Sequence, residues 1–259
     1  MKVPILMYHS IGEANNSREK RLQCSVRNFS LQMSYLSNFG YRVTGLDNLV
    51  NSMKSGTDLP EKTIVITFDD GFRDTFRYAF PILRKYNFPA TVFVVSDLVN
   101  DTNKWMIKEN CSAKELMTWE EIKEMSENGI TIGAHTSTHP SLTALSFGNA
   151  VSEITGSKSK IEKNLGRKVN FFAYPYGEFN EQIKKAVEGA GYTAACSVRP
   201  GFNTGEIELY SLRRIAVHGT DSLWQFILKI IYGANRANIA LPFKYYFNQI
   251  KSRLNVQIF

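Results

Sequence analysis

Short runs of β-branched and other apolar residues alternate along this chain with stretches whose apolar positions recur at helical spacing. Residues 3–9 form a compact apolar run ending on a polar side chain, the profile of a buried strand. Phe29, Met33, Leu36 and Phe39 share one helical face, which predicts a helix over 28–39 that Gly40 closes. A strand is expected at 41–46, a short helix at 47–54, a β-branched strand at 63–66 and a helix over 72–86. Asn87-Phe88-Pro89 leads into a strong strand at 90–95, and 97–113 reads as an irregular insertion carrying Trp105. Thr118-Trp119-Glu120-Glu121 has the form of a capping box and opens a helix to Asn128, which Gly129 stops. Beyond it the pattern predicts a strand at 130–134, a helix at 150–165, a strand at 169–173 and a helix at 180–188. Strands at 193–198 and 211–217 and a last helix at 223–232 follow.

Strand and helix thus alternate about eight times, with no internal repeat and no low-complexity linker. That argues for one parallel α/β domain, and the count at this length favours a barrel. An open doubly wound sheet is the second candidate, but no glycine-rich phosphate turn follows the first strand.

Composition changes this picture little. With 259 residues, 43% apolar and 21% charged, the chain has material for a sizeable globular core. Its three cysteines, Cys24, Cys111 and Cys196, are widely spaced and suggest neither a disulfide framework nor a metal knuckle. The net charge of +7 favours anionic partners. Nucleic acid is not expected, because no reading motif or dense basic helix is present. The apolar run after Lys2 is too short for a signal peptide, and no stretch is long enough to span a membrane.

Candidate chemistry gathers at strand ends. The 63–66 run leads into Thr67-Phe68-Asp69-Asp70-Gly71, an acidic turn at the carboxyl end of a parallel strand, where α/β folds place their sites. In extended geometry two neighbouring side chains point opposite ways, so one Asp can hold a metal while the other acts as a base. All four histidines, His9, His135, His139 and His218, fall at or just after a strand end, and in a barrel those ends share one rim. His135 and His139 are one helical turn apart, which predicts both imidazoles on one side. Two such imidazoles and a carboxylate leave room for water on catalytic zinc, and the same set would hold Fe(II).

Thr-Phe-Asp-Asp-Gly followed by His-Thr-x-x-His-Pro resembles the polysaccharide deacetylases, the NodB-like carbohydrate esterase family 4. Val-Pro-Ile-Leu-Met-Tyr-His-Ser, Phe-Pro-Ala-Thr-Val-Phe-Val, Met-Thr-Trp-Glu-Glu-Ile and Phe-Ala-Tyr-Pro-Tyr-Gly are similar to its poly-N-acetylglucosamine deacetylase branch. The resemblance runs from Val3 to about Phe226. It implies a deformed (β/α) barrel of about seven parallel strands and metal-dependent hydrolysis of an N-acetyl group. By motif, Asp70, His135 and His139 would bind the metal, most simply Zn2+, with Co2+, Ni2+ or Fe2+ as alternatives. Asp69 would be the base and the backbone N–H of Tyr176 the oxyanion donor. His9 would be the acid that protonates the departing amine, with His218 its competitor. The family's third motif begins with an Arg that steadies the base; here Ala173 stands there, and Arg214, or less readily Arg213, is the expected substitute.

The expected organisation is a catalytic domain over 1–232 and a basic, aromatic helical tail over 233–259. After Asp221 no acidic residue occurs, while Lys229, Arg236, Lys244, Lys251 and Arg253 are basic. Residues 240–259 are accordingly expected to contact anionic membrane peripherally, and a cytoplasmic location at the inner face is the matching expectation. The substrate is then an N-acetylated saccharide: a polymer, or a lipid-linked glycan precursor deacetylated or deformylated at the membrane surface. A non-catalytic carbohydrate-binding relative is the rival of another class, and the retained Asp69, Asp70, His135 and His139 argue against it. An Fe(II) oxygenase usually orders its ligands His-x-Asp with a distant His, an order absent here.

Overall fold

A computed structural model of the chain describes residues 2–14, 16, 19–107 and 111–236. The strands of the main sheet are β1 (Ile5–Tyr8), β2 (Arg42–Thr44), β3 (Thr63–Phe68), β4 (Ala90–Val94), β5 (Ile130–Ala134), β6 (Phe171–Ala173), β7 (Ala194–Cys196) and β8 (Ile215–Ala216). The main helices are α1 (Val26–Asn38), α2 (Leu46–Ser55), α3 (Phe80–Lys85), α4 (Trp119–Glu127), α5 (Phe147–Leu165), α6 (Glu181–Gly189) and α7 (Leu223–Tyr232). All strand pairs of the main sheet are parallel, in the order β8-β1-β3-β4-β5-β6-β7, with β2 beside the first half of β3. The sheet curls into the deformed, incomplete barrel of the NodB type. Its outer edges meet across the gap through a bridge at Leu212 to Cys196 and through Arg214, whose N–H donates to Arg199 O (2.9 Å) and whose Nε donates to Ser197 O (2.9 Å).

The local rules read from sequence hold at the helix ends. Thr118 and Glu121 form the expected reciprocal cap on α4, and Ser222 with Gln225 forms another on α7. The 72–86 helix departs from regularity: Thr75–Ala79 winds as a wider π turn before α3. Pro81 has no N–H to return to the preceding turn, and the widened turn absorbs that loss. The predicted strand at 211–217 shrinks to β8, because residues 209–211 form a 3-10 turn. The expected tail contact at 240–259 lies outside the described residues. Among the described residues no helix is long and apolar enough to cross a membrane.

Two apolar layers flank each strand. Leu6, Tyr8, Ile64, Ile66 and Phe68 join the outer core under the helices, while Ile5, Val65, Phe93, Phe171 and Ala194 fill the barrel with Leu46, Leu49 and Val50 of α2. Side chains alternate along a strand. Asp69 is therefore the next inward position after Val65 and Thr67, His135 after Thr131 and Gly133, and His9 after Ile5 and Met7. Register levels these ends: Tyr8 pairs with Phe68, and Val94 with Ala134.

The interior leaves no slack at Gly133. A Cβ there would lie 2.4 Å and 2.6 Å from the Phe93 ring and 3.0 Å from Phe171 O. Gly133→Ala is expected to destabilise the fold by about 1–3 kcal/mol through overpacking. Urea denaturation checks this, and an unchanged midpoint would refute the packing account.

Candidate active site

Strand β3 stops at Phe68, and the next two carboxylates enter different environments. Asp69 follows the strand inward and its N–H donates to Tyr8 O (3.0 Å). At Asp70 the backbone turns left-handed, with φ 72°, and Gly71 continues at φ 72°. The two side chains are thus separated by a turn rather than by the extended geometry expected from sequence. Gly71 has to be small as well as left-handed, since a Cβ there would lie 3.2 Å from Val94 Cγ1.

Asp69 is gripped at both oxygens. Arg214 donates from Nη1 to Oδ1 (2.6 Å) and from Nη2 to Oδ2 (2.7 Å), a bidentate pair in which both residues are buried. The guanidinium is itself fixed: Nε donates to Ser197 O (2.9 Å), Nη1 also reaches Thr67 Oγ1 (3.3 Å), and Cζ lies 5.6 Å from the Phe93 ring centre. Burial alone would raise the Asp69 carboxyl, but Arg214 foremost, with His135 and His9, holds it below the usual carboxylate range. Arg213, the other candidate, is exposed. The Ala173 position has a different use. Its carbonyl accepts from His135 Nδ1–H at 2.7 Å, which makes Nε2 the lone-pair nitrogen of the neutral ring and aims it at Asp70.

Asp70 Oδ1 lies 3.4 Å from His135 Nε2 and 3.3 Å from His139 Nε2, and the three ligand atoms all lie within 4.8 Å of one another. Both Asp70 separations exceed an ordinary N–H···O bond. They match an ion shared among tetrahedral ligands at about 2.0–2.1 Å, which sets its ligand atoms roughly 3.3–3.4 Å apart. Burial pushes the Asp70 carboxyl up, yet the two imidazoles hold it well below the usual range. Burial lowers His139, as a neutral ligand requires. His135 is also lowered by burial but ends raised, because Asp70 and Asp69 both face it and favour a positive charge there. Among the described residues this is the one such group of three placed to hold a cation.

The two imidazoles do not meet through a helical turn, as their spacing suggested. Residues 135–139 form a loop in which Thr136 and His139 are both left-handed, with φ 64° and 66°. His139 stacks on Trp105 (4.5 Å between centroids, 20°) and meets the edge of Tyr176 (4.9 Å, 73°), with its Nδ1 buried and without a hydrogen-bond partner among the described residues. Tyr176 sits at φ 59°, ψ 0° in a turn closed by Gly177 N–H to Tyr174 O (2.9 Å), a type II geometry with Pro175 leading.

These groups line a cleft of about 330 Å³ together with His9, His218, Arg21, Leu22 and Met106. Both candidate acids therefore share the cleft with the acidic pair. His218 Nδ1 faces Arg21 O at 3.2 Å; burial first, then the nearby Lys229 ammonium, lower its pKa. The Trp105 stack and the Thr67 contact were not assigned from sequence. A tryptophan in an irregular insertion and a threonine inside a buried strand carry no signal of their partners.

The family model for polysaccharide deacetylases matches residues 56–195, a segment holding Asp69, Asp70, His135 and His139 but neither His9 nor Arg214. YxkH of Bacillus subtilis (strain 168), named for the same family, is 32% identical over 216 residues, covering 83% of this chain and 71% of the relative. The poly-beta-1,6-N-acetyl-D-glucosamine N-deacetylase of Staphylococcus aureus (strain MSSA476) is 25% identical over 244 residues, or 86% of this chain and 81% of that protein. Among solved structures, the Streptococcus pyogenes deacetylase PplD in complex with acetate superposes with a TM-score of 0.77 at 25% identity, covering 89% of this chain and 98% of its own. The curled parallel barrel agrees with the solved structure, the matched segment includes the acidic turn and the His-Thr-x-x-His loop, and the chain belongs to the polysaccharide deacetylase family.

Proposed function

We propose that this protein is a metal-dependent N-deacetylase acting on N-acetylated amino sugars of a polysaccharide of the poly-N-acetylglucosamine kind. One observation carries the reading: Asp70 faces two imidazoles at ligand spacing while its neighbour Asp69 is held by Arg214 at both oxygens. The substrate class is supported by the Staphylococcus aureus relative, whose name specifies poly-beta-1,6-N-acetyl-D-glucosamine. Trp105 and the exposed Tyr176 give the cleft aromatic surface suited to a sugar ring.

In this reading Asp70, His135 and His139 hold the metal, Zn2+ first, with Co2+, Ni2+ or Fe2+ fitting the same ligands. A divalent ion there supplies Lewis acidity to a water and to the acetamide carbonyl. Asp69 takes the proton that leaves the attacking water, and Arg214 keeps this carboxylate ionised and aimed. The backbone N–H of Tyr176 stabilises the oxyanion of the tetrahedral intermediate. His9 donates the proton that the amine leaving group needs. His218 is less suited to the role because its burial beside Lys229 favours the neutral ring over the imidazolium that would donate.

The purified protein with zinc or cobalt is expected to release acetate from N-acetylglucosamine oligomers. Asp69→Asn should lower kcat by about 10²–10⁴-fold while metal analysis finds the ion retained. Asp70→Ala should lose the metal; unchanged metal content in that variant would refute the division of the pair. His9→Ala should lose more activity than His218→Ala. The reverse order would move the acid to His218.

A further inference from the structure

The loop that carries His135 and His139 is under backbone strain and is clamped from outside the cleft. Left-handed conformations at Thr136 and His139 are unfavourable for residues with a side chain and persist only where surrounding structure fixes them. Within the loop, Thr136 Oγ1 accepts from His139 N–H (3.0 Å). On its outer side the principal partner is Glu153 of α5. Oε2 of Glu153 accepts from the backbone N–H groups of Ser137 (2.8 Å) and Thr138 (2.9 Å), and Oε1 accepts from the Thr138 hydroxyl (2.6 Å).

The carbonyls of the same loop are taken by the turn after β4. Ser96 N–H donates to Thr136 O (3.2 Å) and Asp97 N–H to Ser137 O (2.9 Å). Lys160 of α5 pairs with Asp97 (2.9 Å), tying the helix to that turn. The helix approaches closely: a Cβ on Gly156 would lie 3.1 Å from Ser137 Oγ. The loop backbone is therefore held between two elements, and Glu153 supplies the charged contacts, the stronger kind. Glu153 lies in a separate outer depression with Asp97 and Asn149 and does not line the cleft.

We propose that Glu153 is a positioning residue for the metal site: its carboxylate pins residues 137 and 138 so that both imidazoles present Nε2 to Asp70 at ligand spacing. The inference rests on the metal-dependent reading above and adds to it a residue that touches neither metal nor substrate.

Zinc titration of the metal-free full chain tests it, comparing the wild type with Glu153→Ala, Glu153→Gln and Asp70→Ala. Glu153→Ala is expected to bind zinc about 10–100-fold more weakly and to change the visible spectrum of the cobalt-loaded protein. Glu153→Gln keeps one acceptor for the two N–H groups, so its loss should be smaller but beyond about threefold, and it carries the test if the alanine variant does not fold. A merely structural role would lower the thermal midpoint and leave zinc affinity within about twofold of the wild type; that result, with binding lost in Asp70→Ala, overturns the role of Glu153 and leaves the metal site standing. Zinc binding absent from the wild type, or unchanged in Asp70→Ala, overturns both.

Discussion

The buried pair between Arg214 and Asp69 is the constraint on which the site depends. Two adjacent carboxylates at the end of a buried strand repel each other, and burying either without a partner costs several kcal/mol. Arg214 resolves this by taking both oxygens of one and leaving the other to the imidazoles. It reaches Asp69 from the far end of the sequence because residues 212–214 bridge the open seam of the sheet, beside Ser197 and Arg199. The incomplete closure of the barrel and the different partners of the two Asp are thus one arrangement.

Backbone strain has a pattern that fits this. Of the residues other than glycine with positive φ, Asp70, Thr136, His139 and Tyr176 all belong to the cleft or to the loop that supports it. Each turns a side chain or a peptide group in a direction that the preceding strand alone would not give. Asp70 would follow the outward face by alternation; the left-handed turn brings it back beside His135. Strain of this kind is kept where neighbours over-determine it, and here the neighbours are Arg214, Glu153 and the Trp105 stack.

How much of this was legible in the sequence follows from the range of each interaction. Local signals were read well: the Thr118 cap, the last helix at 223–232 and the strand end at Ala134 depend on residues a few positions apart. The acidic turn and the two histidines were legible by motif and are brought together in one cleft. The inward or outward sense of each strand position was not, because parallel strands buried on both faces show no alternation of polarity. Thr63 to Phe68 is buried at every position, and only its neighbours reveal that Thr67 and Asp69 face the interior. Glu153 was missed for a related reason: a glutamate on a polar helix face looks solvated until the loop before it is placed. Arg214 was reached only as a substitute for the arginine missing at Ala173, and that alanine serves the site through its carbonyl.

The most direct test is anomalous diffraction from crystals of the zinc-loaded protein. The account predicts a single zinc peak in the cleft at about 2.0–2.2 Å from an Asp70 oxygen and from Nε2 of His135 and His139, with Asp69 still held by Arg214. A peak ligated by Asp69 instead, or no peak at these residues, would contradict it.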